Sequence, residues 1–323
     1  LVSTVTFGVR TGRHALEPFP AFRGRLKRLM GALAGSSMLS DSYSLWVRDN
    51  LPDAIASARL ADDLESFGTR PTISVVVPTY NNDLVHLREC IDSVHSQIYP
   101  DWQLVLVDDA SPNQSVRDVL LEYAAKDSRI TCKFLPVNGH ISVATNQAVG
   151  LATGEFVAFL DHDDVMWPNA LLEVARAINE HPDADLLYSD EDFITEERSA
   201  HLAPFFKPDW NPDFLHSVNY ITHLTVVRKS LVERVGGLRG EFNGAQDWDL
   251  LLRVGDLANR VVHIPKVLYS WRIHELSTAS GTGAKPYVVE AQRRAIEEDL
   301  ARRGRPDAIV RTYSAPEAAN YWT

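Results

Sequence analysis

Residues 155–164 read Glu155-Phe156-Val157-Ala158-Phe159-Leu160-Asp161-His162-Asp163-Asp164, an apolar run of strand length that ends in three carboxylates. A short apolar run bounded by polar residues is the signature of a strand buried on both faces. Carboxylates packed this closely repel one another and raise each other's pKa unless a cation sits among them. A hard divalent ion with oxygen ligands, Mg²⁺ or Mn²⁺, is the simplest resident, and such a site usually binds substrate phosphates as well. The competing explanation is a helix N-cap, with Asp164 capping a helix that starts in Val165-Met166-Trp167-Pro168. Capping accounts for one aspartate and leaves Asp161 and Asp163 unexplained, so metal plus phosphate is the expectation.

Working outward, strand-like and helix-like segments alternate between residues 72 and 190. Strands are expected over 73–77, 102–107, 130–135, 156–160 and 184–188. Helices are expected over 83–97, 115–126, 142–151 and 168–180, the last with Pro168 in its first turn. Such alternation implies an α/β fold, a Rossmann-like, mostly parallel sheet flanked by helices on both faces. Ligands then bind beyond the carboxyl ends of the strands. The polar clusters fall there: Pro78-Thr79-Tyr80-Asn81-Asn82, Asp108-Asp109-Ala110-Ser111 and Asp161-His162-Asp163-Asp164. A dinucleotide-binding enzyme needs glycines in the turn after its first strand. The turn here, residues 78–83, has none. That argues against a nicotinamide or flavin enzyme and leaves phosphates to be held at the carboxylate cluster.

The flanks are less regular. Residues 1–70 are expected to form a helical N-terminal extension. Within it, Phe22-Arg23-Gly24-Arg25-Leu26-Lys27-Arg28-Leu29-Met30-Gly31-Ala32-Leu33 has helical apolar spacing with cations opposite. Either this stretch touches an anionic membrane surface or it is an ordinary surface helix or flexible terminus, and the two glycines favour the latter. A second helix is expected over 53–67, before a linker at Gly68-Thr69-Arg70-Pro71. Residues 191–306 carry more aromatics, a strand expected over 221–227 and a charged helix over 287–303. Phe205, Phe206, Trp210 and Tyr220 read as core packing; only Trp210, beside Lys207 and Asp209, is kept as a site candidate. The expected division is 1–70, then one domain over 71–306 made of a nucleotide-binding half (71–190) and an acceptor half (191–306), then a tail over 307–323 that starts a further module. The first residue, Leu1, fits a segment of a longer protein.

Composition narrows the classes. With 323 residues, 45% of them hydrophobic, the chain can bury a large core. A net charge of −11 makes it a poor nonspecific nucleic-acid binder. Two cysteines, Cys90 and Cys132, cannot build a disulfide framework or a structural zinc site, and both read as small buried hydrophobes of a reducing compartment. No apolar run reaches bilayer-spanning length, and no signal-peptide pattern is present.

Five motifs occur in order: Val76-Val77-Pro78-Thr79-Tyr80-Asn81; Val107-Asp108-Asp109-Ala110-Ser111; Phe159-Leu160-Asp161-His162-Asp163-Asp164 with Pro168; Gln246-Asp247-Trp248-Asp249-Leu250; and Arg272-Ile273-His274 with Ser277. Together they resemble family 2 glycosyltransferases, which have the GT-A fold, over roughly residues 72–304. Tyr188-Ser189-Asp190-Glu191-Asp192, Phe206-Lys207-Pro208-Asp209-Trp210 and Lys285-Pro286-Tyr287 resemble more narrowly the bacterial O-antigen and cell-surface polysaccharide branch, in which rhamnosyltransferases are common and several modules often share one chain.

The resemblance implies roles. Pro78 and Tyr80 would flank the nucleotide base. Asp109 would accept from the base N3–H, which selects a UDP- or dTDP-sugar; Asp108 could take that part instead, the other aspartate orienting the Ser111 turn. Asp161 and Asp163 form the D-x-D pair, Asp163 ligating Mn²⁺ or Mg²⁺ directly and Asp161 contacting the ribose or the metal through water. His274 would reach the metal or diphosphate. Asp247 would be the general base for an acceptor hydroxyl, in a Gln246-Asp247 pair where the family often has Glu-Asp; the alternative is that Asp247 or Asp249 caps a helix. Asp190, Glu191 and Asp192, with Trp210, Gln246, Trp248 and Arg272, would line the donor or acceptor pocket, against the alternative of a solvated acidic loop. The function implied is inverting, metal-dependent transfer to a lipid-linked or polysaccharide acceptor, in the cytoplasm or peripherally at the inner face of the cell membrane. Two other classes compete: a noncatalytic nucleotide-sugar-binding module and a phosphohydrolase of nucleotide diphosphates.

Overall fold

The computed structural model describes residues 37–273, 286–313 and 321–322. Two helices, Ser37–Asn50 (α1) and Ala54–Asp62 (α2), the second continued by a 3-10 turn over Asp63–Ser66, lead to the first strand, Ile73–Thr79 (β1). Then follow Leu84–His95 (α3), Trp102–Asp108 (β2), Gln114–Lys126 (α4), Ile130–Phe134 (β3), His140–Leu151 (α5), Phe156–Phe159 (β4), Val165–Met166 (β5) and Ala170–Glu180 (α6). The second half comprises Leu186–Ile194 (β6), His201–Phe205 (β7), Pro212–Ser217 (α7), Thr225–Arg228 (β8), Lys229–Arg234 (α8), Gln246–Leu257 (α9), Val261–Arg272 (β9) and Pro286–Arg302 (α10), with a small pair Thr312–Tyr313 (β10) and Tyr321–Trp322 (β11).

One nine-stranded sheet joins the two halves, in the order β3-β2-β1-β4-β8-β6-β9-β5, with β7 beside β6. The strands β3, β2, β1 and β4 are mutually parallel, and β6 is parallel to β9; β8 runs antiparallel between β4 and β6. The expected mostly parallel α/β sheet is therefore present, with antiparallel insertions at β5, β7 and β8. The alternation of β1 explains its lack of a polar face. Ile73, Val75 and Val77 point to a core shared with Leu87 and Ile91 of α3 and Leu171 of α6. Val76 points the other way, to Ala144 and Ala148 of α5 and Trp248 and Leu251 of α9.

Helix starts are set locally. Asp83 caps α3 by accepting from the N–H groups of Val85 and His86, and Asn113 and Asn211 cap α4 and α7 in the same way. The extension docks on the domain: Val47 is buried with Trp167 and Val267, and Tyr43 donates to Asp192 Oδ2 at 2.8 Å. The basic stretch 22–33 lies outside the described residues. Among the described residues no helix is long and apolar enough to cross a membrane.

Three expectations need correction. The strand expected over 184–188 runs on to Ile194, so the acidic run 190–192 lies in a fully buried strand and not in a solvated loop. The strand expected from residue 221 begins at Thr225, and the helix expected from Pro168 begins at Ala170. The twelve-residue strand β9 was not foreseen: His263, Pro265 and Lys266 break its apolar run, and its exposure alternates only weakly.

Candidate active site

Between β4 and β5 the chain turns through Asp161–Asp164, and the structure sorts the three carboxylates. Asp164 points inward, accepting from Tyr269 Oη at 2.6 Å and from the Arg272 N–H at 2.8 Å. Burial, then the charges of Asp163 and Asp161, push its carboxyl well above the ordinary range. It braces the loop, and a strand follows it, so it caps no helix. The side chains of Asp161 and Asp163 keep 38% and 20% of their exposure. His223 Nε2 stands 3.5 Å from Asp161 Oδ2. Burial raises the Asp161 carboxyl, but the His223 charge and hydrogen bond, with His162, outweigh it and hold the group below its ordinary value. Beneath the loop, the fully buried Arg272 donates from Nε to the Asp163 carbonyl at 2.8 Å and pairs with Glu89. The buried Cys90 thiol rests 3.4 Å from the Asp161 carbonyl.

Among the described residues no three His, Cys, Asp or Glu side chains form a cation cage. Mg²⁺-type ions are normally held by one or two carboxylates plus substrate phosphates, so two adjacent, solvent-reaching aspartates fit such an ion. His274 lies outside the described residues.

At the neighbouring strand ends, Asp108 and Asp109 divide their work. Both oxygens of Asp108 are taken by Ser111, through its N–H and hydroxyl. Asp108 is therefore the aspartate that shapes the turn. Asp109 accepts from the Gly139 N–H at 2.7 Å through Oδ1, and its Oδ2 has no partner among the described residues. Ser111 Oγ also accepts from the Asn81 N–H at 2.7 Å, where Asn81 has φ +50°, so the β1 and β2 turns are tied together. Tyr80 leaves this junction 48% exposed, its ring available for stacking, and Pro78 is half-buried on β1.

Asp247 sits in the first turn of α9, and neither it nor Asp249 caps that helix: Asp249 pairs with Arg239 and Arg253. Asn219 Nδ2 donates to Asp247 Oδ2 at 2.9 Å. Burial pushes the Asp247 carboxyl up; the Trp248 N–H and the His223 charge oppose this and Asp161 adds to it. The segment 219–224 thus reaches both carboxylates, Asn219 to Asp247 and His223 to Asp161. It is fixed from behind. Lys207 Nζ, fully shielded, donates to the carbonyls of Ile221 and His223 and pairs with Glu191 at 3.1 Å. Glu191 accepts from Thr222 Oγ1 and the His223 N–H.

The glycosyl transferase family 2 profile matches residues 74–236, which span β1 through α8. The chain belongs to this family. A Myxococcus xanthus protein, the O-antigen biosynthesis protein RfbC, is 40% identical over 262 residues, covering 81% of this chain and 20% of that protein. An uncharacterized Sinorhizobium fredii protein, y4gI, is 47% identical over 76% of this chain and 27% of its own length. The chain thus spans about a quarter of these relatives. Among solved structures, Staphylococcus aureus TarS 1-349 in complex with UDP-GlcNAc matches with TM-score 0.60 and 24% identity, over 71% of this chain and 66% of that one. The Pyrobaculum calidifontis mannosyltransferase PcManGT in complex with GDP-Man and Mn²⁺ matches with TM-score 0.50 and 19% identity, over 81% of this chain and 84% of that one. Both show the shared GT-A fold.

The remaining candidates of this family 2 domain bond or pack within the fold. Asp190 accepts from His263 and the Lys207 N–H, and Asp192 from His201, Tyr43 and Ser270, so both are satisfied within the fold. Trp248 is buried with its indole N–H on the Leu215 carbonyl. Gln246 accepts from the Gly244 N–H. Trp210 packs on the core over Gly255. Sequence reasoning missed Asn219, His223 and the Asn138-Gly139 pair that meets Asp109. Asn-Gly just after a strand was a readable turn signal; nothing local marked Asn219 or His223.

Proposed function

We propose that the domain is an inverting glycosyltransferase that moves a sugar from a UDP- or dTDP-sugar to a hydroxyl of a surface polysaccharide on a lipid-linked carrier, with Mn²⁺ or Mg²⁺ as cofactor. The observation that carries this reading is that one short segment, residues 219–223, contacts both carboxylates, far apart in sequence: Asn219 Nδ2 donates to Asp247 Oδ2 at 2.9 Å, and His223 Nε2 stands 3.5 Å from Asp161 Oδ2. That segment would join a leaving-group site at Asp161 to a base site at Asp247. RfbC in O-antigen biosynthesis, and fold neighbours bound to UDP-GlcNAc or to GDP-Man and Mn²⁺, support the substrate class.

Tyr80 stacks on the base, and Asp109 Oδ2 accepts its N3–H, a polarity that uracil and thymine present. Asp163 and Asp161 would hold the cation, which when bound would supply positive charge beside the departing diphosphate. Asp247 Oδ1 takes the proton of the acceptor hydroxyl as that oxygen attacks the anomeric carbon from the opposite face. No enzyme nucleophile is needed, and a single displacement inverts the configuration. A carboxyl raised by burial is a better base near neutral pH than an ordinary aspartate. The same shift sets a pH dependence: activity falls as pH drops through a value raised above that of an ordinary aspartate. Rhamnose is the first sugar to try, and the membrane's cytoplasmic face, where a lipid-linked acceptor is built, is the proposed location.

The test is product analysis with a panel of UDP-, dTDP- and GDP-sugars, including a rhamnosyl donor, and a lipid-linked glycan extract as acceptor. A β-type product from an α-linked donor, lost in Asp247→Asn, supports the proposal. Nucleotide binding without turnover would indicate a noncatalytic module, and release of nucleoside monophosphate a phosphohydrolase.

A further inference from the structure

Asn219 sits in none of the motifs that mark this family, yet it makes the one side-chain hydrogen bond recorded to Asp247 among the described residues. Its amide has two ends. Nδ2 donates to Asp247 Oδ2 at 2.9 Å, which fixes the carboxylate plane and leaves Oδ1 for another donor. Its own carbonyl, Oδ1, is buried and has no hydrogen-bond partner among the described residues. A buried acceptor left this way costs about 1–3 kcal/mol. Folded proteins rarely keep such a group without use. The surroundings make the amide rigid. Trp248, next to the base, is locked by its bond to Leu215, and the adjacent Tyr220 is buried with its hydroxyl on the Asn211 N–H. Two residues further, Ile221 is clamped through its carbonyl by Lys207.

We propose that Asn219 positions Asp247 and, through its carbonyl, accepts a second hydroxyl of the acceptor, so that the enzyme recognises a sugar carrying adjacent hydroxyls. The inference rests on the reading of Asp247 as the base. One hydroxyl of the pair gives its proton to Asp247 Oδ1 as its oxygen forms the new bond to the anomeric carbon; the bond from that carbon to the diphosphate breaks, and the electron pair leaves with the diphosphate. The neighbouring hydroxyl donates to Asn219 Oδ1 and keeps its proton. A polyol is thereby aligned by two contacts. Water and simple alcohols can use only one.

Three variants test this, each first checked for unchanged far-UV circular dichroism and unchanged nucleotide affinity by calorimetry. The readouts are transfer to methyl glycosides, with a free vicinal diol or with one of its hydroxyls removed, and slow transfer to water, scored as nucleoside diphosphate release. Asn219→Ala is expected to lower kcat/KM for the diol acceptor about 10–100-fold, the equivalent of one or two lost hydrogen bonds. It should lower transfer to water much less. For the deoxy acceptor, Asn219→Ala should show only the part of the loss that comes from freeing Asp247, a clearly smaller factor than for the diol. Asn219→Ser, which can both donate and accept, is expected to recover part of the loss. Asn219→Asp sets a second carboxylate against Asp247, beside the charges of His223 and Asp161 that already face it and the Trp248 N–H. The acid limb of the rate profile should then move to higher pH. Equal losses for diol, deoxy and water acceptors, with an unmoved acid limb, would overturn the inference and leave Asn219 a structural residue. Asp247→Asn separates the two levels: if that variant stays fully active, the base reading fails; if it is inactive while Asn219→Ala is wild-type on every acceptor, the base reading stands and this inference fails.

Discussion

Replacing Lys207 by methionine removes a charge from a place where both it and its partner Glu191 have fully shielded side chains. The variant strands the Glu191 carboxylate and takes the donor from the carbonyls of Ile221 and His223. Breaking one side of a buried ion pair costs about 3–5 kcal/mol. Thr222 Oγ1 and the His223 N–H still hold Glu191, which places the expected loss near the lower end, about 3 kcal/mol. Against a typical domain stability of about 5–15 kcal/mol this is a large fraction. The double variant Lys207→Met, Glu191→Leu removes the stranded charge as well, and should recover about 1–2 kcal/mol relative to Lys207→Met alone. Urea unfolding followed by tryptophan fluorescence measures both. Because Lys207 clamps the segment that carries Asn219 and His223, the single variant should also weaken nucleotide binding. A Lys207→Met protein within about 1 kcal/mol of wild type would refute the argument that this pair holds the site together.

The two aspartates after β2 should separate cleanly. Asp109→Ala is expected to weaken UDP binding about 10–100-fold in a calorimetric titration, while Asp108→Ala, which loses both Ser111 contacts, lowers the unfolding midpoint as well. Gly255→Ala would set a Cβ 2.7 Å from Trp210 Cη2 and should cost about 1–3 kcal/mol in urea unfolding with UDP affinity unchanged; a lost affinity would put Trp210 in the donor site. Arg88 first, then Lys126, holds the Glu122 carboxyl down to about 2. Its folded pKa lies below the ordinary one, so its contribution is full above about pH 4.5 and lost as pH falls toward 2. Acid unfolding of Glu122→Gln should be less steep in that window, and the difference should shrink in high salt.

The half of the domain over residues 71–190 was legible because its signals are local. Strands such as Ile73–Thr79 are buried on both faces and read as unbroken apolar runs, and Asp83 and Asn113 announce the helices they cap. The crowding of Asp161, Asp163 and Asp164 was visible in the sequence, but not that Asp164 turns inward to Tyr269 and Arg272. The half over residues 191–306 was less legible because its stabilising partners are remote in sequence. Asp190, Glu191 and Asp192 look like a loop until His263, Lys207 and His201 are seen hydrogen-bonded to them inside a strand. The fates of Asp164 and Arg272 depend on each other across the fold and are equally invisible locally. Asn219 and His223 belong to no periodic pattern; only the fold brings them to Asp247 and Asp161.

The most direct test of the central claim is a calorimetric titration of UDP and dTDP into the protein, with and without Mn²⁺, on wild type and on Asp163→Ala. The account predicts binding of at least one nucleotide that strengthens with Mn²⁺, and loss of that metal effect in the variant. Binding that ignores both the cation and Asp163, or no binding of either nucleotide under any condition, would contradict it.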